Sequence, residues 1–532
     1  MILIGRSVPP QDFGGRAAGR GFFPRFGKAD GRRYRVTAGK NRLCALALAF
    51  VCALLSGCSA FPGALDVDGA DAYAALPAVN ADAGSAPVGD EAAVSLVRAP
   101  IYYPGAAENQ YAPTLRTFRL NANARTEEKR VEELLKAPYG SEAAPAAPEG
   151  TRLAGVEVSS GLATVKLIAG ADFENEEKKA ILASCVAQTL LDVPGTQAVN
   201  VLVNGRALQY YGVPLGALGG ETANLGEWLE RLLDEKEALA REETVSREAA
   251  FYCPAKYGDY LIPEIRSVRI TGADDAQTIL DGLRLTPAED ALSVGLPQEY
   301  APVKPCEIGV SAGGARVLDV FFTAEAYQAV TQPDGWKRLA SIALTFTAFY
   351  PDIDGVRVRF GDLILTEVRD VNGDTLRFRD GVIAREDFSA RVGALATFYF
   401  ADADGKLAPE TRAVSRLDVR SLRARTALLM QGPLSRDLFP TFPEDLKVVD
   451  ILGTALENGV AKLHFSAGFY GKCQSFTPEE ETLLIYSLVN TLAADDDIRA
   501  VQVYIAGESA QTLAGTCSLR GPVLPNPGLN AR

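Results

Sequence analysis

Histidine is almost absent from this sequence, since His464 is the single histidine in 532 residues. Serine hydrolase triads and metal sites built on histidines both depend on this residue, so with no second histidine these two classes of site are excluded. His464 falls on the polar face of a predicted strand, where two similar stretches of the chain carry Lys166 and Asp319. A catalytic base is not expected to exchange with lysine or aspartate, so we interpret His464 as a surface residue.

Cysteine pairs with the spacing of metal ligands are absent as well. The eight cysteines include no Cys-x-x-Cys arrangement, and Cys185 lies in an apolar helical pattern that is typical of a small core residue. The aspartates around Asp66 and at residues 495–497 lack the glycine and the ligand spacing of a calcium loop. We therefore predict no catalytic residue, no metal site and no cofactor.

Basic residues are in the minority after the first 57 residues. That first segment holds ten Lys and Arg against two Asp and Glu, so the rest of the chain carries a formal charge of −21 within a total of −13. Such an acidic body repels the phosphate backbone of nucleic acids and the headgroups of anionic lipids. We therefore expect no nucleic-acid partner.

The apolar run at residues 43–55 is too short to span a bilayer comfortably, but it fits the core of a signal peptide. Lys40 and Arg42 precede it, and it ends in LSGC, which resembles a bacterial lipobox. We predict that Cys58 is lipidated and holds the protein on the outer face of the cell membrane. A buried helix with a chance cysteine is the alternative, but residues 59–97 have the Ala, Asp, Gly and Pro content of a flexible tether.

One hairpin pattern occurs three times in the sequence, as IYYPGAAENQYAPTLR, FYCPAKYGDYLIPEIR and FYFADADGKLAPETR. With Tyr103, Cys253 and Tyr399 aligned, a proline follows ten residues later and an arginine three residues after it. The signature pairs are Pro113 with Arg116, Pro263 with Arg266, and Pro409 with Arg412. We interpret them as architectural, with the proline interrupting strand pairing and the arginine pairing with a carboxylate of its own unit. A functional site is the alternative.

Each hairpin is followed by a helix, two strands, a second and more apolar helix, and an alternating strand. The stretches GLATVKLI, GARVLDVFF and GVAKLHFS align without a gap, which places Val165, Leu318 and Leu463 on the buried face. Two helices beside a small sheet indicate an α/β protein of two-layer α+β sandwiches. The sequence therefore predicts three tandem units with small mixed sheets.

We divide the chain into a signal region (1–57), a tether (58–97), three repeat units (98–215, 249–366 and 396–512), a helical connector (216–248), a hairpin and linker (367–395) and a C-terminal tail (513–532). In the connector, leucines recur at helical spacing beside Trp228. This stripe either packs on the first or second unit, which we favour, or forms an adhesive helix for a partner. The stripe consists of Leu225, Leu229, Leu232 and Leu239.

The first and third units resemble GerMN domains. The resemblance rests on EELLKAP, GLATVKLIAGADF and AVNVLVNG in the first unit, and on ALLMQGP, NGVAKLHFSAGF and AVQVYIAG in the third. The middle unit matches weakly, and a third unit departs from the two that family members typically carry. GerMN domains are similar in fold to ring-building modules of secretion-type channels, and the namesake of the family is implicated in assembling the channel between mother cell and forespore.

The resemblance implies a non-enzymatic lipoprotein that assembles or scaffolds an envelope complex. Its expected partners are the cytoplasmic membrane, through the lipid anchor, and other envelope or sporulation-channel proteins, with oligomerisation left open. A solute-binding lipoprotein and a module that holds cell-wall glycan without cutting it remain as alternatives.

Replacement of Cys58 by alanine should move the protein from the membrane fraction to the soluble fraction or to an unprocessed precursor. Two acyl chains give stable attachment, whereas one chain gives marginal binding. Fractionation and mass spectrometry of Cys58→Ala, with Cys52→Ala as the control, measure this. Full retention of processed Cys58→Ala protein after a carbonate wash would show that lipidation is not the anchor.

Overall fold

The three hairpin patterns each open a unit with one common order of elements, and we call these units repeats 1, 2 and 3. The computed structural model describes residues 94–106, 109–121, 125–170, 173–272, 275–495 and 497–531. The predicted signal region, Cys58 and residues 59–93 of the tether lie outside these residues. The order of hairpin, helix, two strands, helix and strand that the sequence predicts is confirmed in all three repeats.

The bounds of the elements are as follows. Repeat 1 contains β1 (Val94–Pro104), β2 (Tyr111–Asn121), α1 (Thr126–Leu134), β3 (Arg152–Ser159), β4 (Leu162–Ile168), α2 (Glu176–Leu191), β5 (Ala198–Val203), β6 (Arg206–Ala207), β7 (Gln209–Tyr210) and β8 (Val213–Pro214). The connector helix is α3 (Leu225–Ala240).

Repeat 2 contains β9 (Val245–Pro254), β10 (Leu261–Ile270), α4 (Asp275–Arg284), β11 (Glu307–Val310), β12 (Arg316–Phe322), α5 (Ala326–Val330), α6 (Gly335–Phe349), β13 (Gly355–Phe360), β14 (Leu363–Ile364), β15 (Glu367–Arg369) and β16 (Thr375–Arg377). Repeat 3 contains β17 (Gly393–Ala401), β18 (Leu407–Ser415), α7 (Leu422–Met430), β19 (Ile451–Glu457), β20 (Val460–Phe465), α8 (Ala467–Cys473), α9 (Pro478–Leu492), β21 (Ala500–Ile505) and β22 (Glu508–Ser509).

Each repeat has a four-stranded mixed sheet, ordered β3-β4-β5-β6, β11-β12-β13-β14 and β19-β20-β21-β22. The two middle strands are parallel and the outer pairs are antiparallel. Parallel neighbours need a crossover, which α2, α6 and α9 supply. The opening hairpin is a separate two-stranded sheet that contacts this crossover helix. The predicted mixed α/β architecture is therefore confirmed.

The fourth strand is interrupted in every repeat. The chain leaves the sheet after β6, β14 and β22, and returns with Leu218 beside Val199, Ile383 beside Val356 and Val523 beside Val501. The three returning residues lie beyond the predicted unit ends at 215, 366 and 512. Parts of the connector, linker and tail therefore complete the sheets of the repeats that precede them.

The gapless alignment of the middle strand is wrong by two residues in repeat 2. The parallel ladders begin at Leu162, Val317 and Val460, so the residue equivalent to Lys166 and His464 is Phe321, and not Asp319. The β11–β12 turn is longer than the two-residue turns that precede β4 and β20, which displaces its glycine from the start of the strand. An even shift preserves the face, so Leu318, like Val165 and Leu463, is still buried.

The sheet of repeat 1 is covered on its outer side by repeat 2. Leu162 and Ala198 belong to the hydrophobic core that α6 shares with the sheet of repeat 2. The Asn200 side chain donates to the Ala348 carbonyl at 3.0 Å, and Arg206 pairs with Asp354 at 2.8 Å. Because α6 packs against sheets on both of its sides, all of its residues except Arg338 are buried.

Repeat 1, repeat 3 and the linker meet at one carboxylate, that of Glu157 on β3. Lys166 of repeat 1 lies 2.8 Å from it, Arg416 of repeat 3 lies 3.4 Å away, and Arg385 of the linker lies 3.6 Å away. Arg385 is 1% exposed and also donates to the Tyr252 hydroxyl of repeat 2 at 2.8 Å. We call these four charged residues the Glu157 junction.

Further contacts support the same packing. The Ser159 hydroxyl donates to the Gly393 carbonyl, and the Leu395 amide donates to the Ser160 hydroxyl at 3.1 Å. Nearby, the fully buried Glu127 of α1 faces Arg420 of repeat 3 at 3.6 Å. The β3–β4 end of repeat 1 is therefore enclosed by the start of repeat 3.

Replacement of Leu463 by aspartate should unfold repeat 3, whereas Lys462→Asp should be tolerated. Leu463 is fully buried, so an unpaired charge there costs about 4 kcal/mol or more. Lys462 is half-buried on the other face and pairs with Glu457. Hydrogen exchange of repeat 3 peptides in the full chain measures both changes, and the opposite ranking would place the strand in the other register.

Replacement of Glu157 by glutamine should open the junction at a cost of about 3 kcal/mol, because it leaves the buried Arg385 without its counter-charge. Burial raises the pKa of Glu157, but the three surrounding cations outweigh burial and hold that pKa below its usual value. The stabilisation is therefore present above the unfolded pKa of about 4.3 and is lost as pH falls through the folded pKa.

Hydrogen exchange at residues 157–160, 385–391 and 416–420 reports this opening. The matched control is Glu367→Gln, which removes an exposed pair with Arg377. Equal exchange in Glu157→Gln and in the unchanged chain would mean that the junction does not hold the repeats together.

Candidate functional site

The signature prolines and arginines lie at equivalent places in the three hairpins. Pro113 is opposite Tyr102, Pro263 is opposite Tyr252, and Pro409 is opposite Tyr399. Tyr102 is therefore the equivalent of Tyr252 and Tyr399, and the alignment of Tyr103 and Cys253 with Tyr399 is wrong. The turn of the third hairpin is one residue shorter than the other two, which caused the error.

Each signature arginine binds the end of the first helix of its own repeat. Arg116 donates to the Ala137 carbonyl at 2.5 Å, Arg266 to the Gly282 carbonyl at 2.6 Å, and Arg412 to the Gly432 carbonyl at 3.1 Å. A cation at a helix C-terminus satisfies carbonyls that have no intrahelical partner. The contacts of these arginines are thus internal to the fold.

A carboxylate also lies beside each of these arginines, and we call the arginine, the carboxylate and the helix end the arginine clamp. Glu264 pairs with Arg266 at 2.7 Å, Glu410 pairs with Arg412 at 2.6 Å, and Glu133 lies 4.0 Å from Arg116. Glu410 also accepts the amide of Ser435 just after the first helix, and Glu264 accepts that of Ala288. Sequence analysis missed the two glutamates, although the shared Pro-Glu-x-Arg of repeats 2 and 3 was a signal for them.

A threonine of the crossover helix anchors each hairpin. Thr189, Thr345 and Thr491 accept the backbone amide of Tyr102, Tyr252 and Tyr399 at 2.9–3.1 Å. All three hydroxyls are buried, so they satisfy amides that would otherwise lack a partner. Sequence analysis missed these threonines, since a polar residue in an apolar helix carries no pattern of its own.

A second buried arginine ties the first helix to the crossover helix. Arg130 donates to the Thr189 carbonyl at 3.3 Å and pairs with Asp192 at 2.9 Å. In repeat 3, Arg425 donates to the Thr491 carbonyl and lies 3.4 Å from Asp495. Asp495, which follows α9, therefore contributes a structural ion pair.

The connector helix packs its apolar stripe inside the protein. Leu225, Trp228, Leu229 and Leu232 are between 1% and 6% exposed and belong to the core of repeat 1. Leu239 packs against the core of repeat 2. The interpretation of the stripe as a packed connector is confirmed, and the alternative of an adhesive partner-binding helix is wrong.

His464 is half-buried, on the outer face of the repeat 3 sheet, where its ring stacks on Tyr504 at 4.5 Å. Cys185 is fully buried in the core of repeat 1, as expected. Within the described ranges, no group of three His, Cys, Asp or Glu side chains is placed to hold a metal ion. None of the helices that the structure describes is long and apolar enough to cross a membrane.

Several of the exposed apolar side chains lie at the outer sheet edges of repeats 2 and 3, where β11 and β19 are the end strands. Beside β11, edge surface 2 consists of Val303, Ile308 and Val310, which are 44–66% exposed. Edge surface 3 consists of Val448 and Val449, in the 3-10 turn that precedes β19, and Leu452, at the bulge of β19; these side chains are 46–74% exposed. An edge strand with apolar side chains is an adhesive surface for another chain.

The two edge surfaces share an equivalent position. Pro302 pairs with Phe322 and Ile451 pairs with Phe465, so the residues that follow them, Val303 and Leu452, correspond. The corresponding residue of repeat 1 is Ala154. All three residues are exposed, but only repeats 2 and 3 carry a large aliphatic side chain at this position.

Comparisons with known proteins support the GerMN resemblance. Residues 100–209 and 397–511 match the profile of the family described as "Germane: Sporulation and spore germination". The chain is 25% identical over 229 residues to the spore germination protein GerM of Bacillus subtilis (strain 168), which covers 40% of this chain. The match spans 60% of the length of that relative.

Three solved structures are also similar to parts of this chain. The tandem GerMN domains of GerM from Bacillus subtilis are 18% identical, with a TM-score of 0.22 over 54% of this chain and 99% of that one. The first GerMN domain of GerM gives 19% identity and a TM-score of 0.21, over 25% and 97% of the two chains. A putative lipoprotein from Clostridium perfringens is 15% identical, with a TM-score of 0.17 over 24% of this chain and 89% of that one.

The predicted resemblance to GerMN-domain proteins is confirmed by the profile match and by the curated relative. Repeat 2 lies outside the two matched ranges but shares the element order of its neighbours. The two ranges that match the Germane profile therefore coincide with repeats 1 and 3.

Proposed function

We propose that this protein is a membrane-anchored lipoprotein that assembles an envelope complex during sporulation by binding other proteins and not by catalysis. The match to a sporulation and spore germination family and the similarity to a spore germination protein support a sporulation-related role. The predicted lipobox at Cys58 supports the membrane anchor. The channel between mother cell and forespore is the complex that the family resemblance favours.

The observation that carries the proposal is the pair of edge surfaces. They expose aliphatic side chains at an equivalent position in repeats 2 and 3, and Ala154 stands there in repeat 1. Scattered apolar residues are normal on a protein surface, but these lie in or next to the end strand of a sheet, where an unpaired strand edge adds backbone contacts to side-chain contacts. Two such edges on one body can hold two partner chains.

The packing of the repeats supports a scaffold. The Glu157 junction and the α6 interface fix the two edge surfaces within one body, so bound partners would be held in a defined geometry. A tether of about 40 residues would place that body roughly 30–40 Å from the bilayer. This distance suits an acidic body that anionic headgroups repel.

Replacement of Val449 and Leu452 together by aspartate should abolish complex assembly and reduce the yield of spores, without unfolding repeat 3. These side chains are 74% and 56% exposed, so their loss removes little core packing. The measurements are the recovery of crosslinked envelope partners, identified by mass spectrometry, and the count of heat-resistant spores in the producing organism. Leu524→Asp, at 67% exposure, is the matched control.

Two outcomes would contradict the proposal. Normal partner recovery and normal spore yield with the double variant would show that edge surface 3 does not bind a partner. A deletion strain that assembles the complex but fails to import one small solute would favour the solute-binding alternative, and retention on cell-wall glycan would favour the glycan-binding alternative.

A further inference from the structure

β11 is the end strand of the repeat 2 sheet, and Glu307–Val310 pair with β12 in an unbroken antiparallel register. The end strands of the other two sheets are different, because β3 and β19 each contain a bulge. A bulge bends a strand and interrupts its ladder, which is one way in which proteins prevent an edge from pairing with another chain. Of these three strands, β11 alone offers an edge without that protection.

Contacts within the protein also obstruct the edge of repeat 1. Arg125 donates to the Val156 carbonyl of β3 at 3.3 Å, and Ser159 on the same strand donates to the Gly393 carbonyl of repeat 3. On the opposite side of each of the three sheets, the returning segments pair with the parallel strand. The edge formed by β11 is therefore the one to which an added strand has the clearest access.

The register of β11 shows which of its backbone groups face away from the sheet. At the turn into β12, the Ser311 amide donates to the Ala315 carbonyl at 2.8 Å, in line with the β11–β12 register. Hydrogen-bonded and non-bonded pairs alternate along an antiparallel ladder, so Gly309 is hydrogen-bonded to β12. The N–H and C=O groups of Ile308 and Val310 therefore point outward. None of the hydrogen bonds in the described part of the chain uses these groups.

The spacing of these outward groups fits an extended chain. A strand presents an N–H and a C=O together on every second residue, whereas a helix uses its backbone groups within itself. Beside them, the side chains of Ile308 and Val310 are 44% and 66% exposed and lie on one face, since alternate residues of a strand share a face. Backbone pairing would supply affinity, and these aliphatic side chains would favour aliphatic residues on the incoming strand.

We propose that β11 accepts an extended segment of a partner envelope protein as an additional strand of the repeat 2 sheet. The backbone of this segment pairs with Ile308 and Val310, and its alternate side chains are valine, isoleucine or threonine, which lie beside edge surface 2. The proposal rests on the proposed assembly function and names the chemistry of one partner.

The peptide acetyl-KTVTVTVTK-amide, with valine at alternate positions, is the probe. Hydrogen exchange of the full chain, resolved to single amides, should slow at least about tenfold at Ile308 and Val310 when the peptide is saturating. The amides of β19 should exchange as they do without peptide. The same peptide with N-methyl groups on its central valine and on the two neighbouring threonines keeps the side chains but blocks both edges. It should bind at least about tenfold more weakly.

Replacement of Val310 by proline removes an outward N–H and leaves the ladder with β12 in place, because an edge strand tolerates proline where its N–H faces solvent. Val310→Pro should weaken peptide binding at least about tenfold, and it should lower the recovery of crosslinked partners in the producing organism by a similar factor. Val310→Thr keeps the N–H and the β-branched shape, so it is the matched control and should behave as the unchanged chain does.

Three results would overturn strand addition: no slowing at Ile308 and Val310, equal binding of the N-methylated peptide, or normal binding to Val310→Pro protein. If Val310→Pro disturbs repeat 2, the N-methylated peptide decides, since it leaves the protein unchanged. A dimer in sedimentation that Val310→Pro dissolves would make a second copy the occupant and would also overturn the proposal. Failure of the peptide, with assembly still lost in the Val449 and Leu452 double variant, would leave the assembly function standing.

Discussion

The contact of three cations with the Glu157 carboxylate is the constraint on which the arrangement of the repeats depends. Lys166, Arg416 and Arg385 come from repeat 1, repeat 3 and the linker, and Arg385 reaches on to Tyr252 of repeat 2. Removing one member of a buried ion cluster leaves the others uncompensated, so the cluster resists stepwise opening. The α6 interface joins repeats 1 and 2, and the Glu157 junction fixes repeat 3 and the linker against them.

Clamps of the same kind recur inside each repeat, where a buried arginine binds the carbonyls at a helix end. Arg116, Arg266 and Arg412 close the first helix, and a threonine of the crossover helix holds the hairpin strand. These contacts satisfy helix-end carbonyls and hairpin amides that would otherwise lack a partner. The repeats therefore stay similar in shape although few of their side chains are the same.

The repeated order of elements was predictable from the sequence because hydrophobic periodicity, prolines and glycines recur in each unit. Turn lengths were not predictable to one residue, which misplaced Tyr103 in the hairpin alignment and Asp319 in the strand alignment. The Glu157 junction was also hidden, because its members are far apart in the chain and each looks like an ordinary surface charge. The edge surfaces needed the structure, since Val303 and Leu452 fit a buried strand equally well by sequence.

The central claim is that the three repeats keep one fixed arrangement. The most direct test of this claim is to measure the distance between repeats 1 and 3 in solution. Nitroxide labels at the exposed positions Arg152 and Glu479 can be placed in a chain that begins at residue 94, with its native cysteines replaced. Pulsed dipolar spectroscopy should give a single narrow distance distribution at the separation seen in the structure. A broad or multiple distribution in the otherwise unchanged chain would show that the repeats move independently and would contradict the account.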